Sequence, residues 1–268
     1  MFLSNELPYS TLLNIAMENA VAESAFILPT EQGLNLRWFT PDLEMDLCGH
    51  ATLAAAFVIF NFYKDYTKNN RVVFNTCEGE IVVNKEIESS GRELFSLDFP
   101  IREGVKAELP KEIAAALNIQ PQEVYLSRDY HLVYKNAEEI AKLEINREEF
   151  DKINLGQGGV VVSAEVFGKV IKENLCRNTS GDGKLELVDL APDFVSRFFT
   201  PQATILEDPV TGSAHCTLVP YWAKRLGKCE LYARQISKRG GELWCSLKNG
   251  RVKIKGEAIC YMEGKCCI

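Results

Sequence analysis

A short pattern occurs twice in this chain, in the same order, and that duplication restricts its fold more than any other feature. Arg37-Trp38-Phe39-Thr40-Pro41 is echoed by Arg197-Phe198-Phe199-Thr200-Pro201. A second echo follows each: Asp46-Leu47-Cys48-Gly49-His50-Ala51 in the first copy, Asp208-Pro209-Val210-Thr211-Gly212-Ser213-Ala214 in the second. Cys48-Gly49-His50-Ala51 lines up with Thr211-Gly212-Ser213-Ala214, and the spacing between the echoes differs by three residues. Each copy then enters an apolar stretch of helical character, Thr52 to Phe62 and His215 to Leu226. Two elements repeated in one order argue against coincidence, and the unit reads as strand, turn, glycine turn, helix. Glycine there lets the backbone turn sharply or approach a neighbour closely.

Periodicity and turn residues fill in the remainder. A helix is expected over 10–20 and strands at 24–29, 33–39, 71–76, 79–84 and 93–98. The Pro- and charge-bearing connection from Ile101 to Glu112 marks the boundary between halves, so domains are expected at 1–105 and 106–268. The second half offers a helix at 111–118, strands near 123–127 and 130–135, and short helices around 137–143 and 148–153. Further strands are expected at 158–163, 194–200, 229–236, 241–247 and 251–262, and Glu173–Lys184 reads as a flexible loop. Only 36 residues precede Arg37, whereas the second copy has strand material from about residue 122 ahead of its own motif. A strand or two is therefore expected to be missing from the start of the first half.

Composition narrows the function classes. With 268 residues, 46% hydrophobic and 25% charged, the chain can bury a proper core. A net charge of -7 argues against a nucleic-acid footprint. No apolar run reaches the roughly 18 residues of a membrane span. The N-terminus MFLSNELPYS lacks the features of a signal peptide, so a cytoplasmic location is expected. Nine cysteines, at 48, 77, 176, 216, 229, 245, 260, 266 and 267, show no zinc-knuckle spacing, and the three histidines form no metal motif. Most of the cysteines read as small buried hydrophobes. Neither a metal nor a nucleotide cofactor is expected.

Helix N-termini carry free N–H groups and the positive end of a dipole, so each is suited to an anion. Two of them, at Gly49-His50 and Gly212-Ser213, would serve a substrate carboxylate or an enolate if the halves face each other. Acid–base candidates beside these turns are His50, Asp208 and Glu23. Glu23 lies between a helix and an apolar strand, where a carboxylate partly withdrawn from water could take and return a proton. Alternatives stand for each: Glu23 as a solvated helix-end charge, His50 as a helix cap, Asp208 as a turn residue before Pro209.

RWFTPDLEMDLCGHATLAAAFVIF, ILEDPVTGSAHCTLVPYWAKRLGK and ARQISKRGGELW resemble the motifs of the PhzF-like phenazine biosynthesis family, related to diaminopimelate epimerase and proline racemase. The resemblance covers essentially the whole chain, from about Pro8 to Gly264. It implies an α+β, diaminopimelate epimerase-like fold: two similar domains, each a curled, barrel-like sheet around a central helix, with the active site between them. It further implies that Glu23 shuttles a proton, that His50, Asp208 and Ser213 assist, and that Gly49 and Gly212 offer backbone donors to the substrate carboxylate. The expected function is a cofactor-free isomerase, a homodimer, acting on a small carboxylate-bearing molecule. Racemase relatives use two cysteines; Cys48 matches the first position, but Thr211 fills the second with a hydroxyl too weakly acidic for that task. Alternatives are a racemase, epimerase or dehydratase of the same fold, or a non-catalytic binding homologue. One departure is that family members begin with a strand and a glycine-asparagine-proline segment that this chain lacks, which would leave a sheet edge open in the first half.

Overall fold

A computed structural model of the chain describes residues 1–88, 91–166 and 191–266. The loop expected at 173–184 lies outside the described residues. The first half contains α1 (Tyr9–Asn19), β1 (Ser24–Thr30), β2 (Gly33–Phe39), β3 (Glu44–Met45), α2 (Gly49–Phe62), β4 (Arg71–Thr76), β5 (Gly79–Ile87) and β6 (Glu93–Pro100). There follow β7 (Val105–Lys106), α3 (Lys111–Ala116), β8 (Glu123–Leu126), β9 (Tyr130–Val133), α4 (Ala137–Ala141), α5 (Arg147–Phe150), β10 (Val160–Glu165) and β11 (Phe194–Phe199). The chain continues through β12 (Glu207–Asp208), α6 (Gly212–Leu226), β13 (Glu230–Gln235), β14 (Gly241–Lys248) and β15 (Arg251–Gly256). The expected elements are present. The strand expected to 262 ends at Gly256, beyond which Ile259, Tyr261 and Met262 are exposed.

The strands form one curled sheet in the order β1-β2-β4-β5-β6-β15-β14-β13-β11-β10-β9-β8-β7. β6 and β15 make the seam between strands of the early and late chain, antiparallel, with Leu97 opposite Ile254. α2 packs on β1, β4 and β6, and α6 on β13, β14 and β15, so each helix is wrapped by its own strands. Burial follows from sequence: α2 is apolar nearly all round, as a helix enclosed by a sheet must be, with Ala51, Ala55, Ala56, Ile59 and Phe60 buried. α6 buries eleven of its fifteen residues. One buried apolar cluster runs from Ile27, Leu36 and Ile59 to Leu218, Trp222 and Ile254, crossing the seam.

Pro220 sits inside α6 and has no N–H to give to the Cys216 carbonyl one turn back. That carbonyl accepts from the Arg102 backbone N–H instead, at 3.0 Å, pinning the connection between the halves to the helix.

The expected open edge is partly covered. Leu3 N–H donates to the Ile27 carbonyl and Ile27 N–H to the Met1 carbonyl, both at 2.8 Å, and Phe2 bridges Ile27 in the parallel sense. In the second half the same place beside β10 is held by β9, also parallel, with Val133 opposite Ser163. Three residues thus stand along β1 where a whole strand stands along β10.

Candidate active site

The duplicated motif is duplicated in detail. Arg37 grips Glu44 through two hydrogen bonds of 2.7 and 2.9 Å, and Arg197 grips Glu207 through two of 2.7 and 3.0 Å. Each guanidinium also lies over a ring, Phe39 at 5.1 Å and Phe199 at 4.8 Å. Thr40 N–H donates to the Leu43 carbonyl and Thr200 N–H to that of Leu206, each at 2.9 Å, so the three extra residues of the second copy fall inside that turn. The two-residue strands β3 and β12 then deliver the chain to α2 and α6. Thr52 Oγ1 bonds the Cys48 carbonyl at 2.6 Å, and His215 Nδ1 bonds the Thr211 carbonyl at 2.8 Å, tying equivalent first turns.

Neither helix has a side-chain cap at its N-cap residue, Cys48 or Thr211, and neither carries an acid in its first turn. Their leading N–H groups therefore take no cap from these residues, and uncapped donors at a helix start suit an anion. The two starts meet: a Cβ added to Gly49 would lie 3.0 Å from Gly212 Cα, and one on Gly212 would lie 3.1 Å from Gly49 Cα. Both positions are glycine because backbone touches backbone there.

Beside this contact lies a cavity of about 520 Å³ lined by Glu23, Cys48, Gly49, His50, Asp208, Thr211, Gly212 and Ser213. All eight residues singled out from the sequence are thus in one place. His50 stands between two carboxylates, with Nε2 2.8 Å from Glu23 Oε2 and Nδ1 4.0 Å from Asp208 Oδ1. Cys48 Sγ lies 3.8 Å from the His50 ring. Burial pulls the imidazole down, but Cys48, Asp208 and Glu23 outweigh it and hold its pKa well above the usual value. Burial pushes the Cys48 thiol up to about 11. Burial also raises Asp208 to about 6, against the pull of His50. Thr211 Oγ1 donates to Asp208 Oδ2 at 2.5 Å.

Glu23, Cys48 and His50 bring donor atoms within 4.8 Å of one another. As placed, their shortest contact is the 2.8 Å pairing of His50 Nε2 with Glu23 Oε2, a direct pairing in place of a shared ion. The arrangement suits proton movement instead.

Strand register separates the two copies. Asp208 faces Phe198 across β11–β12, and the residue facing Trp38 across β2–β3 is Met45. Ser24 faces Phe39 while Val160 faces Phe199, which makes Gly159 the counterpart of Glu23. Each half therefore contributes one acid that the other lacks. Two contributors escaped sequence reasoning. Arg128 lines the cavity and lies 3.3 Å from Asp46, bridging the halves. Gln235, 1% exposed, holds the Asp208–Thr211 turn from β13; its only signal was its place in the ARQISKRGGELW segment.

A family model described as phenazine biosynthesis-like protein (PhzC-PhzF) matches residues 1–264. An uncharacterized isomerase of Pseudomonas aeruginosa is 39% identical over 252 residues, covering 94% of this chain and 84% of the relative. A crystal structure of a PhzF family phenazine biosynthesis protein from Enterococcus faecalis superposes with a TM-score of 0.81 at 38% identity, covering 100% of this chain and 91% of that one. A predicted epimerase of Pseudomonas aeruginosa shares the fold, with a TM-score of 0.62 at 19% identity over 94% of this chain and 86% of its own.

Proposed function

Because this chain belongs to the phenazine biosynthesis-like family, we propose that it is an isomerase that moves a proton within a small carboxylate-bearing substrate, using its own side chains alone. The observation that carries this reading is the convergence of Glu23, His50 and Asp208 on one cavity against two facing, uncapped helix starts. The N–H groups at Gly49 and Gly212 bind the substrate carboxylate and stabilise negative charge as it spreads toward it. Glu23 removes a proton from an activated carbon; the C–H electron pair enters the conjugated system; the same carboxyl group returns the proton to a different carbon. The bond gained and the bond lost are both C–H, so no oxidant is consumed. His50, carrying a positive charge, positions Glu23 and lowers the energy of the anion, and Ser213 offers a hydroxyl from the start of α6.

A racemase acting through Cys48 is disfavoured because burial keeps that thiol protonated and because the Thr211 hydroxyl is committed to Asp208. Candidate carboxylates incubated with the protein in heavy water should take up deuterium. Glu23→Gln should slow the uptake at least about 100-fold, while Cys48→Ser leaves it within about threefold. Uptake that survives Glu23→Gln and vanishes with Cys48→Ser would hand the reaction to the cysteine.

A further inference from the structure

Gln235 lies on β13, outside the ring of residues that face the cavity, yet its amide makes three hydrogen bonds to one four-residue turn. Oε1 accepts from the Thr211 backbone N–H at 2.8 Å; Nε2 donates to the Asp208 carbonyl at 2.8 Å and to Thr211 Oγ1 at 3.2 Å. The orientation of the amide is not free. A backbone N–H can only donate, so the atom facing Thr211 N must be the amide oxygen, and the other must be the NH₂ group. Thr211 Oγ1 then receives a proton from Gln235 and has one hydrogen of its own. Asp208 Oδ2, 2.5 Å away, is where that hydrogen goes. The direction of the chain Gln235 to Thr211 to Asp208 is therefore set at its buried end.

We propose that Gln235 is a positioning residue that imposes this direction, so that Asp208 presents Oδ2 as a bound acceptor and keeps Oδ1 for the cavity. Oδ1 fits that assignment: it is buried, has no hydrogen-bond partner among the described residues, and is the oxygen 4.0 Å from His50 Nδ1. A donor fixed on Oδ2 favours the carboxylate and opposes the burial that raises Asp208. Asp208 is also faced by His50 from α2 and by Glu23 ahead of β1, with the Cys48 thiol beyond His50, and the Val210 backbone N–H approaches it from its own turn. Gln235 bonds the Asp208 backbone directly but reaches the Asp208 carboxyl through the Thr211 hydroxyl. The inference rests on the proposed role of Asp208, and it can be tested without turnover.

The Asp208 carboxyl is followed by carbon-13 NMR in the full chain, assigned with Asp208→Asn. In Gln235→Met, which fills similar volume without the amide, Asp208 should titrate about one pH unit higher. In a Thr211→Val background the same substitution should move it little, because the link is already cut. In the unsubstituted chain the Gln235 side-chain NH₂ resonances should shift as Asp208 titrates, a readout that survives even if Gln235→Met does not fold. Gln235 resonances indifferent to that titration, or equal effects of Gln235→Met with and without the Thr211 hydroxyl, overturn the proposal. Absence of deuterium uptake alongside these shifts would overturn the isomerase reading and leave the role of Gln235 standing.

Discussion

Asp208 sits where burial favours its neutral form more strongly than His50 favours its charged one. The native Asp208 pKa is raised from 3.8 to about 6, so between those values the native state holds a proton that the unfolded chain has released. Its contribution to stability is complete below about 4 and is lost as pH rises through about 6. Asp208→Asn should therefore make the change in unfolding free energy from about pH 4 to 7 more positive than in the unsubstituted chain, by on the order of 2 kcal/mol, measured by denaturant titration at both pH values. Burial presses His131 to about 3 and His215 to about 4, so the unfolded chain binds protons there that the native state does not, and their contribution rises over the same range; comparing variant with unsubstituted chain cancels it. At this scale legibility in the sequence was uneven, for physical reasons. Gly49 and Gly212 stand out because the repeat preserves what backbone contact demands. Glu23 and Asp208 do not, because Gly159 and Met45 occupy the matching places and no internal comparison could expose them; the family resemblance supplied their roles. Gln235 escaped because a buried amide on a strand looks, in sequence, like any polar interruption.

The Arg–Glu pairs that brace each motif are alike in geometry and unlike in surroundings. Arg37 and Glu44 are 38% and 27% exposed, whereas Arg197 and Glu207 are 15% and 23% exposed. Arg197 Nη1 also donates to the carbonyls of Ile140 and Leu143, at 3.2 and 2.7 Å, tying α4 and the turn after it to β11. Arg37→Met should cost about 1 kcal/mol or less, and Arg197→Met about 3 kcal/mol, since it strands Glu207 and two carbonyls together. Chemical denaturation of the two variants checks the ratio. Gly212→Ala places a methyl against Gly49 and should cost about 1–3 kcal/mol while parting the helix starts, so deuterium uptake should fall more than stability accounts for. The long strands and both central helices were legible from alternation and from apolar runs. β3 and β12 were not, because two residues carry no period; they exist because Phe39 and Phe199 give them something to pair with.

For the whole molecule the seam matters most. β15 comes last in the sheet-forming chain, yet it lies between β14 and β6 and completes strand pairing on both sides. One buried cluster crosses the same line. Calorimetry should accordingly show one unfolding transition for the full chain, with calorimetric and van't Hoff enthalpies in agreement, in place of two separable ones. No helix among the described residues is long and apolar enough to cross a membrane. Asp42 reaches the opposite half at the cavity rim, accepting from the Thr204 N–H at 2.9 Å and from its hydroxyl at 2.7 Å, and Thr204 lies within the three-residue expansion of the second copy. The proline within α6 adds a different kind of fastening. A carbonyl orphaned by one imino acid has become the mooring point for the segment at Arg102, so mending the helix would untie the crossover. Pro220→Ala supplies Cys216 with a rival donor, and the amides of Arg102 to Gly104 should then trade hydrogen with solvent sooner than before.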